Sequence, residues 1–161
     1  MKQYHLQNRP NREITANQEI SEILKNGKFA VISMCRDNEP YIVTLSYGYD
    51  SEQNSLFFHC AKQGLKLDFI KQNPRVCATI IEDKGYAVNE CGHNYRTAVF
   101  WGNMSTVTAL DEKKHGMEIL INHLEKDQQI IMDKLRKSED FYSKMEVLRL
   151  DIGQIHCKEG R

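Results

Sequence analysis

Short strand-forming runs, separated by turn-forming clusters, fill residues 28–108 and restrict the fold more than any other feature. The runs are rich in β-branched and aromatic residues and read FAVISMC, YIVTLSYGY, SLFFHC, VCATII and YRTAVFWGNMSTVTAL. The turn formers DNEP, DSEQN and QNP lie between the first four. The fifth run is long enough for one extended strand bent at Gly102, and MEVLRLDIGQIHC supplies a last strand. Strands at this short spacing predict a small antiparallel barrel and not a parallel βαβ sheet.

Helical patterns flank these strands. Thr15-Ala16-Asn17-Gln18 matches a capping box and precedes apolar residues at helical spacing, which predicts a helix over 15–26. The segment GLKLDFIKQNP predicts a brief helix that Pro74 ends. Asp111 is predicted to cap the first helix of a helical segment over 111–145.

The composition predicts one domain with one sizeable core, because the chain has 161 residues and 40% of them are apolar. This domain is predicted to span 1–161 and to be α+β, mainly β. Its predicted parts, in chain order, are the helix over 15–26, barrel strands over 28–108, the helical segment over 111–145 and the last strand over 146–157.

The charge pattern argues against a nucleic acid or a membrane as partner. The chain has 22 basic and 22 acidic side chains and no basic stripe interleaved with aromatics. The start, MKQYHLQNRPNREI, is polar, and no run approaches the roughly 18 apolar residues of a membrane span. Five cysteines without CxxC spacing favour reduced thiols. We therefore expect a cytoplasmic protein.

The stretch FFHCAKQGLK has features of an anion-binding site. A strand that ends at Phe58-His59 is followed by a turn and a helix, whose first backbone N–H groups and dipole attract negative charge. Gly64 permits close approach to the backbone, and Lys66 adds a positive charge in the first helical turn. These residues predict a phosphate cradle. The alternative is a solvated turn with an ordinary surface lysine.

The order of segments along the chain adds a family resemblance. The block FHCAKQGLKLDFIKQNPRV stands with NREIT, EPYIVTLSYGYD, YRTAVFWGNM and DEKK in an order and spacing that resemble one group of flavoproteins. This group is the nitroimidazole-resistance (Nim-type) branch of the pyridoxamine-phosphate-oxidase-like, FMN-binding split-barrel proteins. The resemblance implies a six-stranded antiparallel split β-barrel with flanking helices. It also implies a homodimer with FMN in a groove between the two subunits.

The resemblance further implies which residues contact FMN and which one is catalytic. His59 is the implied catalytic residue, because an imidazole beside flavin and substrate can donate a proton or orient a substrate oxygen. The alternative for His59 is a strand end that hydrogen-bonds the backbone. The implied cofactor-binding residues are Val43, Thr44, Leu45, Ser46, Phe58, His59, Cys60, Ala61, Gly64, Lys66 and Thr97.

Three positions depart from the family pattern. Leu65 stands where many relatives have a second basic residue, which removes one cation from the predicted cradle. Thr44 stands where proline is common and adds donors that proline lacks. The ending GQIHCKEGR only loosely resembles the Gly-Lys ending of relatives and leaves the role of Lys158 open.

Histidine and cysteine adjoin or nearly adjoin at three places, 59–60, 91–93 and 156–157. Adjacent strand residues face opposite sides, and none of these spacings is usual for zinc, so we predict no metal site. Cys60 is either an inert apolar residue or a reactive thiol if the cradle lowers its pKa. The stretch EDKGYAVNECGHNY, over 82–95, is interpreted as a loop on the substrate side.

These features together predict an FMN-dependent oxidoreductase. Reduced flavin is expected to pass electrons to a small-molecule acceptor, as in nitroimidazole reductases. The chain has no G-x-G-x-x-G fingerprint, so NAD(P)H is expected to bind only transiently as the reductant. Two alternatives stay open: a non-catalytic flavin-binding protein and a haem-binding split-barrel protein.

Overall fold

The chain folds mainly into antiparallel strands, with helices between and after them. A computed structural model describes residues 10–136 and 140–160. The strands are β1 (Glu13–Ile14), β2 (Phe29–Arg36), β3 (Glu39–Ser46), β4 (Gly48–Asp50), β5 (Ser55–Ala61), β6 (Arg75–Ala87), β7 (Gly92–Thr106) and β8 (Met145–Gly160). The helices are α1 (Asn17–Asn26), α2 (Leu65–Gln72), α3 (Leu110–Leu124), α4 (Gln128–Arg136) and α5 (Asp140–Ser143). No helix of the described residues is both long enough and apolar enough to cross a membrane.

The strands form one sheet in the order β3-β2-β6-β7-β8-β5-β4, and β1 pairs with the C-terminal part of β8. Every pairing is antiparallel. The described residues form eight strands, two more than the six predicted. The two shortest, β1 and β4, have only two and three residues, and six long strands carry the sheet. Since β3 and β4 are at opposite ends of this order, the sheet of the described residues stays open.

Alternation along the strands separates an inner from an outer face of the sheet. The inner face packs against α1 and α2, and the largest fully buried side chains of this core include Phe58 and Phe100 of the sheet and Phe69 of α2. A second apolar cluster joins α3 to the other side of β5 and β8 around Phe57 and Val147. The part of the outer face formed by β3, β2 and β6 leaves large apolar side chains exposed.

The long strand β7 bends where the sequence predicts. Its register with β8 shifts between Phe100 and Gly102, so the pairing is irregular around Trp101. A Cβ atom at Gly102 would collide with the carbonyl oxygen of Asp151 on β8. The two backbones therefore approach so closely at this bend that only glycine fits.

The interpretation of 82–95 as a loop is wrong. Strand β6 continues to Ala87, β7 begins at Gly92, and the two strands pair from Asp83↔Tyr95 to Ala87↔Gly92. The register shifts between Asp83 and Tyr86, which marks a β-bulge. Turn-forming residues at 84–85 and 88–91 hide this pairing from sequence analysis, because cross-strand hydrogen bonds decide it.

Two predicted helix caps are also wrong. The N-cap of α1 is Ala16, without a side-chain hydrogen bond, because strand β1 holds Ile14 against Cys157 and the helix begins only at Asn17. The N-cap of α3 is Ala109, and Asp111 lies inside the first turn. There its negative charge still interacts favourably with the positive end of the helix dipole.

His123 fastens the C-terminal end of α3 to the connection between α1 and β2. Its ring Nε2 lies 2.5 Å from the carbonyl oxygen of Gly27, which only accepts, so Nε2 carries the hydrogen. Lys28 Nζ donates to the carbonyl oxygen of His123 at 3.0 Å, and the Tyr47 ring lies 4.8 Å away. Burial lowers the pKa of His123, and the neighbouring Lys28 charge lowers it further.

This lowered pKa predicts a pH-dependent stability. The unfolded chain binds a proton at His123 below about pH 6.5, whereas the folded chain resists it. The contribution of His123 is therefore complete above that pH and is lost as the pH falls below it, by at most about 1.4 kcal/mol per pH unit. Urea unfolding of wild type and His123→Gln between pH 5 and 8 measures it. Parallel stability profiles for the two proteins would contradict this prediction.

Candidate functional site

The predicted cradle forms where β5 passes into α2. Gly64 is the N-cap of α2 and has φ 153° and ψ 154°, a conformation that suits glycine. Its carbonyl oxygen accepts a hydrogen bond from the N–H of Leu67 at 2.9 Å. Lys66 Nζ lies 3.5 Å from the point that a Cβ at Gly64 would occupy. The ammonium group therefore lies over the helix N-terminus, beside N–H groups that have no intrahelical partner.

Helix α2 is held against the β2–β3 hairpin. The buried ring of Phe69 lies 5.1 Å from the ring of Tyr41 on β3, and the Arg36 guanidinium lies 4.4 Å above the Phe69 ring. These contacts fix the helix that carries Lys66 relative to β3, the strand with four predicted flavin contacts.

Strand β3 divides those four residues between its two faces. Val43 and Leu45 are half-buried and pack on the inner core, whereas Thr44 and Ser46 are exposed on the outer face. Only the side chains of Thr44 and Ser46 are therefore accessible to a ligand on that face. Any contact from Val43 or Leu45 there involves backbone atoms.

Residues 58–60 also alternate at the end of β5. Phe58 is buried in the inner core. His59 is exposed and pairs with Val147, whereas Cys60 is half-buried and pairs with Glu146, so His59 and Cys60 face opposite sides. Burial raises the pKa of the Cys60 thiol, and the charge of Lys66 offsets only part of this increase. The raised pKa favours the protonated thiol and therefore supports the interpretation of Cys60 as an inert apolar residue.

Thr97 lies elsewhere, in a groove of about 370 Å³ on the outer face that we call the outer groove. The outer groove is lined by Thr79, Ile81, Asp83, His93, Tyr95, Thr97, Val99 and Lys158. Thr97 is 9% exposed, and its Oγ1 atom has no hydrogen-bond partner among the described residues. Leaving a buried hydroxyl unsatisfied costs about 1–3 kcal/mol. The outer groove thus has an unused polar group close to the aliphatic side chains of Ile81 and Val99.

The outer groove also contains Lys158, whose role sequence analysis left open, and His93, to which sequence analysis gave no role in binding. Lys158 pairs with Thr97 across β7 and β8, and its Nζ lies 5.8 Å from the centre of the Tyr95 ring. His93 Nε2 lies 2.7 Å from Oδ1 of Asp83. The available signal was the period of two along β7, which places His93, Tyr95 and Thr97 on one face. That signal was hidden by the interpretation of this region as a loop.

The structure therefore divides the predicted site residues between two places. The cradle adjoins the start of β8, where Ala61 pairs with Met145, whereas Thr97 pairs with Lys158 near the end of β8. About 40 Å of strand separates these two pairs along β8. Among the described residues, no group of three or more histidine, cysteine, aspartate or glutamate side chains is arranged to hold a metal ion.

Comparison with known proteins decides the family. Residues 16–159 match the pyridoxamine 5'-phosphate oxidase family. The chain belongs to this family. The relationship inferred from FHCAKQGLKLDFIKQNPRV and the segments around it is therefore confirmed.

Solved structures share the fold of this pyridoxamine 5'-phosphate oxidase family member. A candidate 5-nitroimidazole antibiotic resistance protein from Bacteroides thetaiotaomicron has 21% identity and a TM-score of 0.78, with 92% of this chain and 86% of that chain covered. An FAD- and haem-binding protein from Mycobacterium smegmatis has 16% identity and a TM-score of 0.73, with coverages of 93% and 74%. An FAD-binding protein from Mesorhizobium loti has 20% identity and a TM-score of 0.63, with coverages of 93% and 96%. The predicted split-barrel fold is confirmed.

A curated relative matches a smaller part of this family member. An uncharacterized protein of Rhizobium meliloti (strain 1021) is 29% identical over 69 residues, which are 43% of this chain and 44% of that protein. The match therefore spans less than half of the relative's length.

Proposed function

We propose that this protein is a flavin-dependent oxidoreductase that binds FMN between two copies of the chain and reduces a small-molecule acceptor. The observation that carries the proposal is the Thr97 hydroxyl, which is buried, has no partner among the described residues and faces an open groove. A ligand with a hydrogen-bonding edge satisfies this hydroxyl. A planar heterocycle with ring oxygens and nitrogens, such as flavin, fits a groove that combines apolar walls with polar side chains, the Thr97 hydroxyl among them.

The cradle supports the assignment of a phosphorylated flavin. Lys66 and the first N–H groups of α2 converge at Gly64, where a side chain would otherwise interfere with a phosphate. Leu65 is 46% exposed and adds no charge, so Lys66 is the cation that we assign to the phosphate. Backbone groups at His59, Cys60 and Ala61, with Phe58 behind them, complete the proposed phosphate side. Strand β3, with the exposed side chains of Thr44 and Ser46, is proposed to lie along the isoalloxazine ring.

The apolar part of the outer face supports a homodimer. Phe29, Ile42 and Ile81 are 51%, 64% and 47% exposed and lie on the same face of neighbouring strands β2, β3 and β6. A second copy that covers this face buries these side chains. Its outer groove then supplies Thr97 to the flavin whose phosphate lies in the first copy's cradle. This arrangement explains why the two sets of site residues lie at opposite ends of β8.

When bound, the flavin supplies the redox chemistry, taking electrons from a reductant and giving them to the acceptor. The side chains of the protein bind the flavin and the acceptor, orient the acceptor and supply it with a proton. His59, exposed beside the cradle, is our candidate for orienting or protonating the acceptor. NAD(P)H is the proposed reductant, binding only during reduction. The resistance protein from Bacteroides thetaiotaomicron directs the choice of test acceptors toward 5-nitroimidazoles.

The visible absorption spectrum tests this proposal. The protein is purified, mixed with FMN, with FAD and with haem, and separated from unbound ligand. Flavin bands shifted from those of free FMN, at one FMN per chain, are the expected result. A Soret band without flavin bands would favour the haem-binding alternative. Bound flavin that no acceptor reoxidises faster than free flavin would favour a non-catalytic flavin protein.

A further inference from the structure

The end of the outer groove nearest the β6–β7 turn holds a hydrogen-bonded acid and base. His93 Nε2 and Asp83 Oδ1 are 2.7 Å apart, and both residues line the groove that contains the Thr97 hydroxyl. His93, Tyr95 and Thr97 follow one another on the same face of β7. The imidazole therefore lies two side-chain positions from the polar anchor that we assign to flavin.

The β-bulge in β6 orients the Asp83 side chain toward His93. The register shifts between Asp83 and Tyr86, and Gly85 adopts φ 91°, a left-handed conformation that suits glycine. The N–H of Gly85 donates to Oδ1 of Asp83 at 2.7 Å, so the bulge itself holds the carboxylate in place. Bulges of this kind commonly redirect a side chain next to a functional site.

The two nitrogens of His93 have different environments. Nε2 is bound to Asp83, whereas Nδ1 has no hydrogen-bond partner among the described residues. The hydrogen bond from His93 lowers the pKa of Asp83, so the carboxylate that faces the ring stays charged. An imidazole held by a carboxylate through one nitrogen, with the other nitrogen open, is the arrangement of an oriented acid–base group.

We infer that His93, oriented by Asp83, donates a proton to an electron acceptor bound at the His93 end of the outer groove, beside the flavin that we assign to Thr97. The inference rests on the proposed flavin-dependent function. It assigns the proton donor to the subunit that supplies Thr97, in addition to His59 beside the cradle. Asp83 acts only through His93 and is a positioning residue.

The step balances in electrons and protons. The acceptor receives two electrons and one proton, as a hydride equivalent, from the reduced flavin, and a second proton from Nδ1 of protonated His93. The ring becomes neutral and regains its proton from water. With a nitro group as acceptor, one N–O bond breaks, water leaves and a nitroso group remains.

The lining of the outer groove indicates the class of acceptor. Ile81 and Val99 give it aliphatic walls, Tyr95 gives it an aromatic one, and Lys158 supplies a cation near Thr97. A flat aromatic molecule with a nitro or quinone oxygen matches these groups. The charged and titratable groups that line the groove with His93 are Asp83, Tyr95 and Lys158, and the Tyr86 ring lies 6.1 Å from the His93 ring.

Reoxidation of the flavin-loaded protein tests the inference. The protein is reduced with dithionite without oxygen and mixed with a 5-nitroimidazole, a benzoquinone or ferricyanide in a stopped-flow spectrophotometer. Ferricyanide takes electrons without protons and is therefore the control acceptor. The variants are His93→Gln, Asp83→Asn and Asp83→Glu. The matched control is His115→Gln, because His115 Nε2 also lies 2.7 Å from a carboxylate oxygen, Asp50 Oδ2, but does not line the outer groove. Binding of the nitroimidazole to the oxidised protein is measured separately from the flavin spectrum.

His93→Gln is expected to slow reoxidation by the nitroimidazole and the quinone about 100-fold, with ferricyanide rates and nitroimidazole affinity unchanged. Asp83→Asn is expected to slow the same two reactions, because the ring loses the carboxylate that orients it. Asp83→Glu, which restores a carboxylate, is expected to recover part of the rate, with ferricyanide rates unchanged in both variants.

Three results would overturn the inference. They are wild-type rates in His93→Gln, an equal loss with ferricyanide, and no reaction of the wild-type protein with either proton-requiring acceptor. A wild-type protein that binds no flavin would instead refute the proposed function, and the inference with it. The spectrum before reduction separates these two failures.

Discussion

Replacing Lys66 with alanine is expected to raise the dissociation constant for FMN about 10- to 150-fold. Its ammonium lies over the N-terminus of α2 at Gly64, where we place the phosphate. A hydrogen bond between two charged groups contributes about 1.5–3 kcal/mol, and that energy corresponds to the expected loss. Quenching of flavin fluorescence during titration measures the affinity.

Two comparisons make this result specific to the phosphate. Riboflavin, which lacks the phosphate, is expected to bind wild type and Lys66→Ala equally. Lys71→Ala removes the same charge from the same helix, where Lys71 lines a different surface pocket, and is expected to leave FMN affinity within about twofold of wild type. Wild-type FMN affinity in Lys66→Ala, or an equal loss for riboflavin, would mean that the phosphate lies elsewhere.

Introducing glutamates at Phe29 and Ile81 is expected to yield a monomer that binds no FMN. The two positions are neighbours on β2 and β6, by extension of the Val31↔Thr79 pairing, and both side chains are about half exposed. In the proposed homodimer each copy would bury two uncompensated carboxylates, at a cost of several kcal/mol per ion. Light scattering after size exclusion measures the mass of the assembly, and the flavin spectrum measures occupancy.

The matched control for the dimer prediction is Leu110→Glu. Leu110 is also apolar and 40% exposed, but it begins α3, away from the outer face of β2 and β6. This variant is expected to remain a dimer and to bind FMN. A Phe29→Glu, Ile81→Glu protein that stays dimeric, or a monomer that still binds FMN at wild-type affinity, would contradict the assignment of the site to two copies.

Local sequence patterns predict the long strands because their side chains alternate between a packed and a solvated face. They also predict the bend at Gly102 and the helix that ends before Pro74, since these depend on properties of single residues. The first turn of α1 departs from its pattern, because the pairing of Ile14 with β8 determines where the helix begins. Local capping preferences depend only on residues near the helix end and therefore do not reflect that pairing.

The candidate site is also predictable only in part, because some of its residues come together through strand pairing and not through local sequence. Gly64 and Lys66 are close in sequence, so their meeting at one helix end follows from local geometry. Asp83 and His93 are ten residues apart and meet because of register and a bulge. The burial of the Thr97 hydroxyl depends on packing across several strands, which a single sequence does not reveal.

Mixed dimers test most directly whether one flavin lies between two copies. Lys66→Glu repels the phosphate at the cradle, and Thr97→Phe fills the outer groove, so dimers of either variant alone are expected to bind no FMN. In a dimer with one copy of each, one site receives both defects and the other receives neither. A site shared between two copies predicts one FMN per mixed dimer, bound with wild-type affinity. No binding by the mixed dimer would contradict it, because each copy would then hold its flavin alone.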